Sequence, residues 1–189
     1  MSAQDSKLFV ISGPSGAGKG TLVTRVRERR SNLGLTVSAT TRAPRKGEAD
    51  GVNYFFLTRE EFDRRVANGE FVEWAEVHGN CYGTLVSEVQ SKLASGSSLI
   101  LEIDVQGALQ VKERFPEAVL IFIKPPSLEV LRERLVGRGT ETPETIELRM
   151  ANAADELALA DRYDDVVVND DLDRATDELV RVLDMHERI

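Results

Sequence analysis

Continuous apolar runs alternate with amphipathic helical patterns along most of the chain. Apolar runs at residues 8–11, 99–103, 118–123 and 166–168 are typical of strands buried on both faces. Helical spacing of apolar residues follows each of them, and a further strand is expected at residues 35–38. This alternation predicts an α/β fold in which a parallel sheet is flanked by helices. Ligands of such sheets bind at the carboxyl ends of the strands, where Ser12 and Asp104 fall.

The alternation is interrupted between residues 38 and 95, where strands are short, turns are frequent and aromatic residues cluster. Thr58 and Glu61 have the spacing of a capping box, which predicts a helix start. Residues 70–77 alternate at period 2, which predicts a half-buried strand with Phe71, Glu73 and Ala75 on one face. We therefore expect one domain over 1–189, with a core at 1–36, 96–130 and 160–189, a small α+β lobe at 37–95 and a helical lid at 131–159.

A glycine-rich segment between the first strand and the first helix has the spacing of a phosphate-binding loop. Glycines let the backbone fold around a phosphate with its N–H groups inward, and the helix N-terminus adds partial positive charge. Lys19 would reach the β- and γ-phosphates. An ordinary glycine turn is the alternative, but strand, spacing, lysine and helix all agree. The candidate phosphate-binding residues are Gly13, Pro14, Ser15, Gly16, Ala17, Gly18, Lys19, Gly20 and Thr21.

The position after the lysine, where a Ser or Thr hydroxyl usually binds Mg²⁺, is Gly20. A hydroxyl comes one residue later, at Thr21. Two arrangements stay open: Thr21 contacts the metal or its water shell, or phosphates and waters hold Mg²⁺. Magnesium tolerates the second arrangement because it retains several waters.

The amino-acid composition argues against nucleic-acid and membrane partners. A net charge of −8 and a pI near 4.9 argue against a nucleic-acid partner, so an anionic ligand must be met by local arginines. Cys81 is the single cysteine, which rules out an internal disulfide and fits a reducing cytosol. No apolar run approaches the ~20 residues of a membrane span, and the N-terminus lacks a signal-peptide apolar region. We expect a cytoplasmic protein without a membrane partner.

Two groups of residues in the polar lobe carry candidate chemistry. Arg42 and Arg45 could grip a phosphate, and Tyr54 and Tyr82 could add hydroxyl donors, although a solvated basic loop has the same pattern. Glu73 on an apolar strand face could accept from N1 and the exocyclic amino group of guanine, which adenine cannot offer. A buried carboxylate with a structural partner remains the alternative there.

The lid segment carries four arginines, which over a triphosphate would neutralise the charge of the transferring group. Arg134 and Arg138 are spaced i, i+4 and share a helix face, while an exposed basic face is the alternative. The four are Arg132, Arg134, Arg138 and Arg149.

Together these motifs resemble the guanylate kinase family over essentially the whole chain, from residue 8 to about residue 185. The motifs that carry the resemblance are GPSG at 13–16, SATTR at 38–42, GE at 47–48, DGVNY at 50–54, FVEWA at 71–75, YGT at 82–84, DVQG at 104–107, GRGTE at 137–141 and VNDD at 168–171. The family often has a second tyrosine where Cys81 stands.

The resemblance implies a P-loop kinase fold and the reaction ATP + GMP ⇌ ADP + GDP with Mg²⁺. It implies that the lobe binds GMP: Ser38, Glu73 and Asp104 would meet guanine, Thr84 would support the site, and Arg42, Arg45, Tyr54 and Tyr82 would hold the phosphate. It also implies that Arg134, Arg138 and Arg149 act as lid and phosphate-clamping arginines and that Asn169 meets adenine.

We expect in-line phosphoryl transfer without a covalent intermediate, by a monomer or small homo-oligomer. The acceptor is already a phosphate oxygen, so positioning and charge stabilisation suffice. One rival is a kinase-like module that binds phosphopeptides without turning over ATP, but Lys19 is present. The other is a kinase for a different small phosphate acceptor, against which Glu73 and Ser38 argue.

Overall fold

Nine strands and seven α-helices follow one another in the computed structural model, which describes residues 6–77, 79–137 and 142–188. In chain order they are β1 Leu8–Ser12, α1 Lys19–Arg29, β2 Gly34–Leu35, β3 Ala39–Thr40, β4 Phe55–Phe56, α2 Arg59–Ala67, β5 Phe71–Val77, β6 Asn80–Leu85, α3 Val86–Ala94, β7 Leu99–Glu102, α4 Val105–Arg114, β8 Val119–Lys124, α5 Leu128–Gly137, α6 Pro143–Leu157, a 3-10 turn Ala160–Arg162, β9 Asp165–Val168 and α7 Leu172–Glu187.

Five strands form an all-parallel sheet in the order β2-β7-β1-β8-β9. Every residue of the central strand β1 is buried, and its side chains alternate between two apolar clusters. Phe9 and Ile11 pack with α1 and α7, whereas Leu8 and Val10 pack with α3 and α4. Helices cover both faces, which is why the strand sequence is apolar without alternation. The prediction of a parallel sheet flanked by helices is confirmed.

The polar segment forms its own four-stranded sheet, in the order β4-β3-β6-β5. Thr58 caps α2 by accepting a hydrogen bond from the Glu61 N–H, as the capping pattern predicts. Inside the lobe, Phe62 of α2 stacks on Phe71 of β5, with 4.3 Å between ring centroids. This stack anchors the small apolar cluster that holds the lobe together.

The predicted side-chain alternation of β5 is wrong at its start. A register shift between Phe71 and Glu73 marks a bulge, so Phe71 faces α2 together with Trp74 rather than with Glu73. A bulge adds one residue to the strand and reverses the alternation beyond it. Glu73 consequently points toward α4, where its Oε2 lies 3.5 Å from the position of a Cβ at Gly107.

The strand predicted at 35–38 is instead two short strands in different sheets. Leu35 pairs with β7 of the core, and Ala39 pairs with β6 of the lobe. The residues between cross from one sheet to the other, and the Val37 N–H donates to Glu88 of α3. Because Val89 of the same helix packs in the core cluster, α3 ties this crossing to the core.

The segment expected to form a lid is helical, with α5 and α6 packed through Leu131, Leu135, Ile146 and Ala153. Thr142 caps α6 with Pro143 at its first position, as expected from the sequence. The connection at residues 138–141, which contains Arg138, lies outside the described residues. In the part of the chain that is described, no helix combines the length and apolarity needed to cross a membrane.

A row of ion pairs joins α1 to the terminal helix α7. Arg30, at the end of α1, pairs with Asp184 at 2.8 Å and with Glu187 at 2.5 Å. The side chains of Arg30 and Glu187 are only 12% and 5% exposed. Arg25 and Asp173 form a similar pair at 3.0 Å, but their side chains are 43% and 73% exposed.

We expect Arg30→Ala to lower the free energy of unfolding by about 3 kcal/mol, because it leaves a buried Glu187 carboxylate without its partner. The matched change Arg25→Ala should cost about 0.5 kcal/mol or less, because that pair is exposed to solvent. Urea unfolding of both variants measures the difference. Equal losses would contradict the assigned role of burial at Arg30.

Candidate active site

The loop between β1 and α1 has the backbone of a phosphate-binding loop. Gly13 and Gly18 have φ of +139° and +92°, which residues with a Cβ rarely adopt. Close packing also excludes side chains here: a Cβ at Gly13 would lie 2.2 Å from the Ile123 carbonyl oxygen. A turn closes the loop, with the Ala17 N–H donating to the Pro14 carbonyl at 3.1 Å. The loop then enters α1 directly, with Gly18 as N-cap.

Lys19 lies folded across the loop. Its Nζ donates to the Gly13 carbonyl oxygen at 2.5 Å and to the Pro14 carbonyl oxygen at 3.1 Å. The ammonium group is thus held within the loop itself, at the position from which it can contact a bound phosphate chain.

Glu102, at the end of β7, lies beside Gly20. A Cβ at Gly20 would be 3.5 Å from Glu102 Oε1, so the carboxylate occupies the neighbourhood where a side-chain hydroxyl of residue 20 would project. Burial raises the pKa of the Glu102 carboxyl, and the charge of Lys19 partly opposes this rise. Thr21 is exposed in the next position. One carboxylate and one hydroxyl beside a phosphate loop fit Mg²⁺, which is bound with few protein ligands.

Two arginines of α5 and α6 lie near the loop, and they contact different partners there. Arg149 of α6 donates through Nη1 to the Ser15 hydroxyl of the loop. Arg134 of α5 donates through Nη2 to the Asn169 carbonyl at 2.8 Å and lines a cavity of about 490 Å³ beside the loop. Arg132 instead pairs with Glu147 between the two helices. Arg138 lies outside the described residues.

Asn169, directly after β9, contacts the loop. Its Nδ2 donates to the Ala17 carbonyl oxygen at 2.8 Å, and the residue is only 5% exposed. The same cavity of about 490 Å³ is lined by Gly16, Gly18, Thr21, Arg134, Gly137, Asn169, Asp170 and Leu172.

In the lobe, Arg42 is held by a carboxylate and two aromatic rings. Its Nη2 donates to both oxygens of Glu48, at 2.9 and 3.0 Å, and its Nη1 to the Ala43 carbonyl at 2.7 Å. The guanidinium carbon lies 5.4 Å from the Tyr54 ring centroid and 5.9 Å from that of Phe56. The hydrogen bond from Arg42 holds the pKa of Glu48 below its ordinary value, and that from the Arg45 N–H acts in the same direction.

Of the other residues predicted to bind the phosphate, Tyr54 and Tyr82 lie close to each other, whereas Arg45 is exposed. Tyr82 meets Tyr54 edge to face at 6.2 Å between centroids, so the two hydroxyl-bearing rings lie together. Arg45 is exposed, and its backbone N–H donates to Glu48 at 2.7 Å. The structure therefore brings Arg42, Tyr54 and Tyr82 together, while the Arg45 side chain projects into solvent.

A pair of carboxylates lies between the lobe and the core. Thr84 donates to Glu73 Oε1 at 2.8 Å. Asp104 caps α4 by accepting from the Gly107 N–H at 2.8 Å. Both carboxylates lie 3.5 Å from the position of a Cβ at Gly107, so they converge on this glycine. Burial raises the pKa of Glu73, and the charge of Asp104 raises it further.

Ser38 lies on the chain crossing between the two sheets, directly before β3. Its carbonyl oxygen accepts from the Phe55 N–H at 2.9 Å, which joins the start of the lobe sheet to β4. The side chain is partly exposed.

The sequence interpretation missed two residues of this site. Glu48 was visible within the Gly47-Glu48 motif, but its pairing with Arg42 depends on a loop closure that spacing does not reveal. Glu102 was visible as a carboxylate at the end of a buried strand, two residues before Asp104. Its position beside Gly20 follows from the parallel pairing of β1 with β7.

Comparison with known proteins gives one consistent family. The model of the family described as guanylate kinase matches residues 5–186. A guanylate kinase of Gloeobacter violaceus is 56% identical over 94% of this chain and 87% of its own length. One from Halalkalibacterium halodurans is 51% identical over 97% of this chain and 90% of its own length. The crystal structure of guanylate kinase from Anaplasma phagocytophilum superposes with a TM-score of 0.73 at 36% identity, covering 97% of this chain and 87% of that one.

The buried Glu73 carboxyl should make stability depend on pH. Its folded-state pKa is raised above the ordinary value of 4.5, so its contribution to stability is complete below that value and is lost as the pH rises through the folded pKa. Glu73→Gln cannot ionise and keeps an oxygen for the Thr84 hydroxyl. We expect the variant to gain stability relative to the wild type as the pH rises above 4.5. Urea unfolding from pH 4.5 upward, with Glu60→Gln on an exposed part of α2 as control, measures the gain. A difference independent of pH would contradict it.

Proposed function

The chain belongs to the guanylate kinase family and phosphorylates GMP to GDP with ATP, and we propose that the loop at 13–21 and the lobe at 37–95 bring the two nucleotides together for direct in-line transfer. The observation that carries this assignment is the adjacency of β1 and β7 as parallel strands. Their carboxyl ends place the phosphate loop beside the segment that bears Glu102 and Asp104.

ATP would bind with its phosphates on the loop N–H groups and Lys19. Its nucleoside end would lie in the cavity of about 490 Å³ that Arg134 and Asn169 line. Arg149, which contacts Ser15, is placed to neutralise charge on the transferring phosphoryl group. The resemblance to the family predicts the same role for Arg138.

Magnesium would be held mainly by phosphate oxygens and waters, with Glu102 and Thr21 as the protein groups in reach. The position of Glu102 beside Gly20 supports this assignment, because a carboxylate there compensates for the missing hydroxyl. When bound, the ion would neutralise negative charge on the ATP phosphates.

GMP would bind with its base against Glu73 and Asp104. A carboxylate at Glu73 can accept from two adjacent N–H groups of guanine, and the Thr84 hydroxyl fixes its orientation. Ser38 is proposed as a further contact to the base. An adenine base would leave these buried acceptors unpaired, which is the physical reason for selectivity.

The GMP phosphate would be held by Arg42, Arg45, Tyr54 and Tyr82. Its oxygen is already ionised at neutral pH, so transfer needs no strong base in the protein. Orientation of the two phosphates and exclusion of water by the lobe and lid would supply the catalysis. The unpaired thiol of Cys81 fits a reducing cytoplasm, where both nucleotides are available.

A coupled assay of GDP and ADP formation tests the function. With Mg²⁺ and ATP, we expect rapid turnover of GMP and turnover at least about 100-fold lower with AMP or UMP, because the base is recognised by buried hydrogen-bonding groups. Lys19→Ala should abolish most of the GMP activity. Binding of phosphopeptides without turnover would favour the binding-module alternative, and turnover of ribose 5-phosphate would favour another acceptor.

A second test concerns the phosphate clamp. We expect Arg42→Ala to raise the KM for GMP at least about tenfold and to lower kcat, because charge-assisted hydrogen bonds to the phosphate are lost. The KM for ATP should stay nearly unchanged. Glu48→Ala should raise the KM for GMP in the wild type but add little in the Arg42→Ala background, because Glu48 acts by orienting Arg42.

Asp63→Asn serves as control, because Asp63 pairs with Arg59 on the outer face of α2. It should leave both KM values unchanged. Unchanged GMP kinetics in Arg42→Ala would remove Arg42 from the clamp, and fully additive effects of the two changes would remove Glu48 as its positioning residue.

A further inference from the structure

Three polar groups of Asn169 are each engaged by a different part of the fold. Its backbone N–H donates to the Lys124 carbonyl at 2.8 Å, which extends the pairing of β8 with β9. Its carbonyl accepts from Arg134 of α5 at 2.8 Å. Its side-chain Nδ2 donates to the Ala17 carbonyl at 2.8 Å, in a hydrogen bond that is buried. The sheet and α5 thus fix the backbone of Asn169, and its side chain is left to contact the loop.

We propose that Asn169 is a positioning residue of the phosphate-binding loop, which acts on ATP through the Ala17–Gly18 peptide rather than by recognising adenine. This inference rests on the proposed function, because it assigns a role within the ATP site of that function.

The peptide bond between Ala17 and Gly18 is rigid. In a trans peptide the C=O and the following N–H point in opposite directions within one plane. The described residues contain no cis peptide bond. When Asn169 holds the Ala17 carbonyl, the Gly18 N–H must therefore point away from Asn169. Gly18 is the N-cap of α1, so this N–H belongs to the group of amides that can bind phosphate.

Asn169 also packs closely against the Gly18 backbone. A Cβ at Gly18 would lie 2.3 Å from Asn169 Nδ2, so the hydrogen bond is possible only with glycine at this position. Gly18 additionally has φ of +92°, a left-handed conformation that glycine adopts readily and residues with a Cβ rarely adopt. The Ala17 carbonyl oxygen is an acceptor, so the Asn169 amide must present its nitrogen to it.

The hydrogen bond from Asn169 to the Ala17 carbonyl predicts which ligands lose affinity when Asn169 is removed. A residue that reads adenine stabilises only ligands that carry adenine. A residue that orients a loop peptide stabilises the polyphosphate, whatever base is attached. The loss on removing Asn169 should then be the same for every ligand with the same phosphate chain.

The experiment compares Asn169→Ala and Asn169→Leu with the wild-type chain by calorimetry, without GMP. Leucine keeps the volume of the buried side chain while removing its hydrogen bonds, so it remains informative if the alanine variant folds poorly. The ligands are the magnesium complexes of ATP, UTP and inorganic tripolyphosphate. We expect the Kd of each to rise about tenfold, by the same factor, because a buried carbonyl loses its partner and the loop amide its orientation.

Asn68→Ala is the matched control. The Asn68 amide donates to Glu70 on an exposed part of the lobe, so its removal should leave all three Kd values unchanged. In turnover assays, Asn169→Leu should raise the KM for ATP and leave that for GMP nearly constant.

A rise in Kd for ATP alone, with UTP and tripolyphosphate unaffected, would overturn the proposal and make Asn169 a base-recognition residue. Unchanged binding of all three ligands would overturn it as well. These outcomes are separate from the proposed function, since a wild-type chain that makes no GDP would contradict that function while the binding comparison still tests Asn169.

Discussion

The candidate site depends on a loop whose carbonyl groups are held by two side chains, one from the loop itself and one from the end of β9. Lys19 binds the carbonyls of Gly13 and Pro14, and Asn169 binds that of Ala17. Because each peptide is planar and trans, fixing the carbonyls of Pro14 and Ala17 also fixes the directions of the Ser15 and Gly18 N–H groups, whereas Pro14 itself has no N–H to direct. A loop ordered in this way would need little of a ligand's binding energy to order it further. The close contacts that hold the loop exclude any Cβ at Gly13 and Gly18.

The second constraint is electrostatic. The chain has a net charge of −8, yet its substrates are anions. At physiological salt, exposed charges are screened beyond about 8 Å, so the field of distant carboxylates matters little inside the site. What matters is that the cations there are oriented: Arg42 by Glu48, Arg149 by Ser15 and Arg134 by the Asn169 carbonyl. Each partner fixes one edge of a guanidinium group and directs the rest of it.

The four-stranded lobe is attached to the core helices by specific hydrogen bonds. The lobe is joined to the core by the chain at residues 36–38, and its segment at residues 69–71 contacts the core, each held by a core-packed helix. Glu88 of α3 accepts from the Val37 N–H, and Arg114 of α4 donates to the carbonyls of Gly69 and Phe71. The bulge that follows Phe71 turns Glu73 toward α4, so the segment that contacts the core also carries the carboxylate proposed to meet the base.

The sequence by itself determined the parallel core, the phosphate loop, the helix caps at Thr58 and Thr142, and the family. These features are local or periodic: an apolar run, a glycine spacing and a capping residue each follow from interactions within a few residues. It also located most candidate ligands, because the motifs are short. The family and the fold are confirmed by the comparisons, while the roles of the individual residues remain proposals.

Only the tertiary structure decided which groups meet across the chain. The pairing of Arg42 with Glu48, the place of Glu102 beside Gly20 and the contact of Asn169 with Ala17 join segments through loop closure or strand order. The bulge in β5 similarly depends on how β6 pairs with it, so period-2 alternation placed Phe71 on the wrong face. Such contacts depend on long-range packing, whose free energy is shared among many residues and leaves no pattern in any single segment.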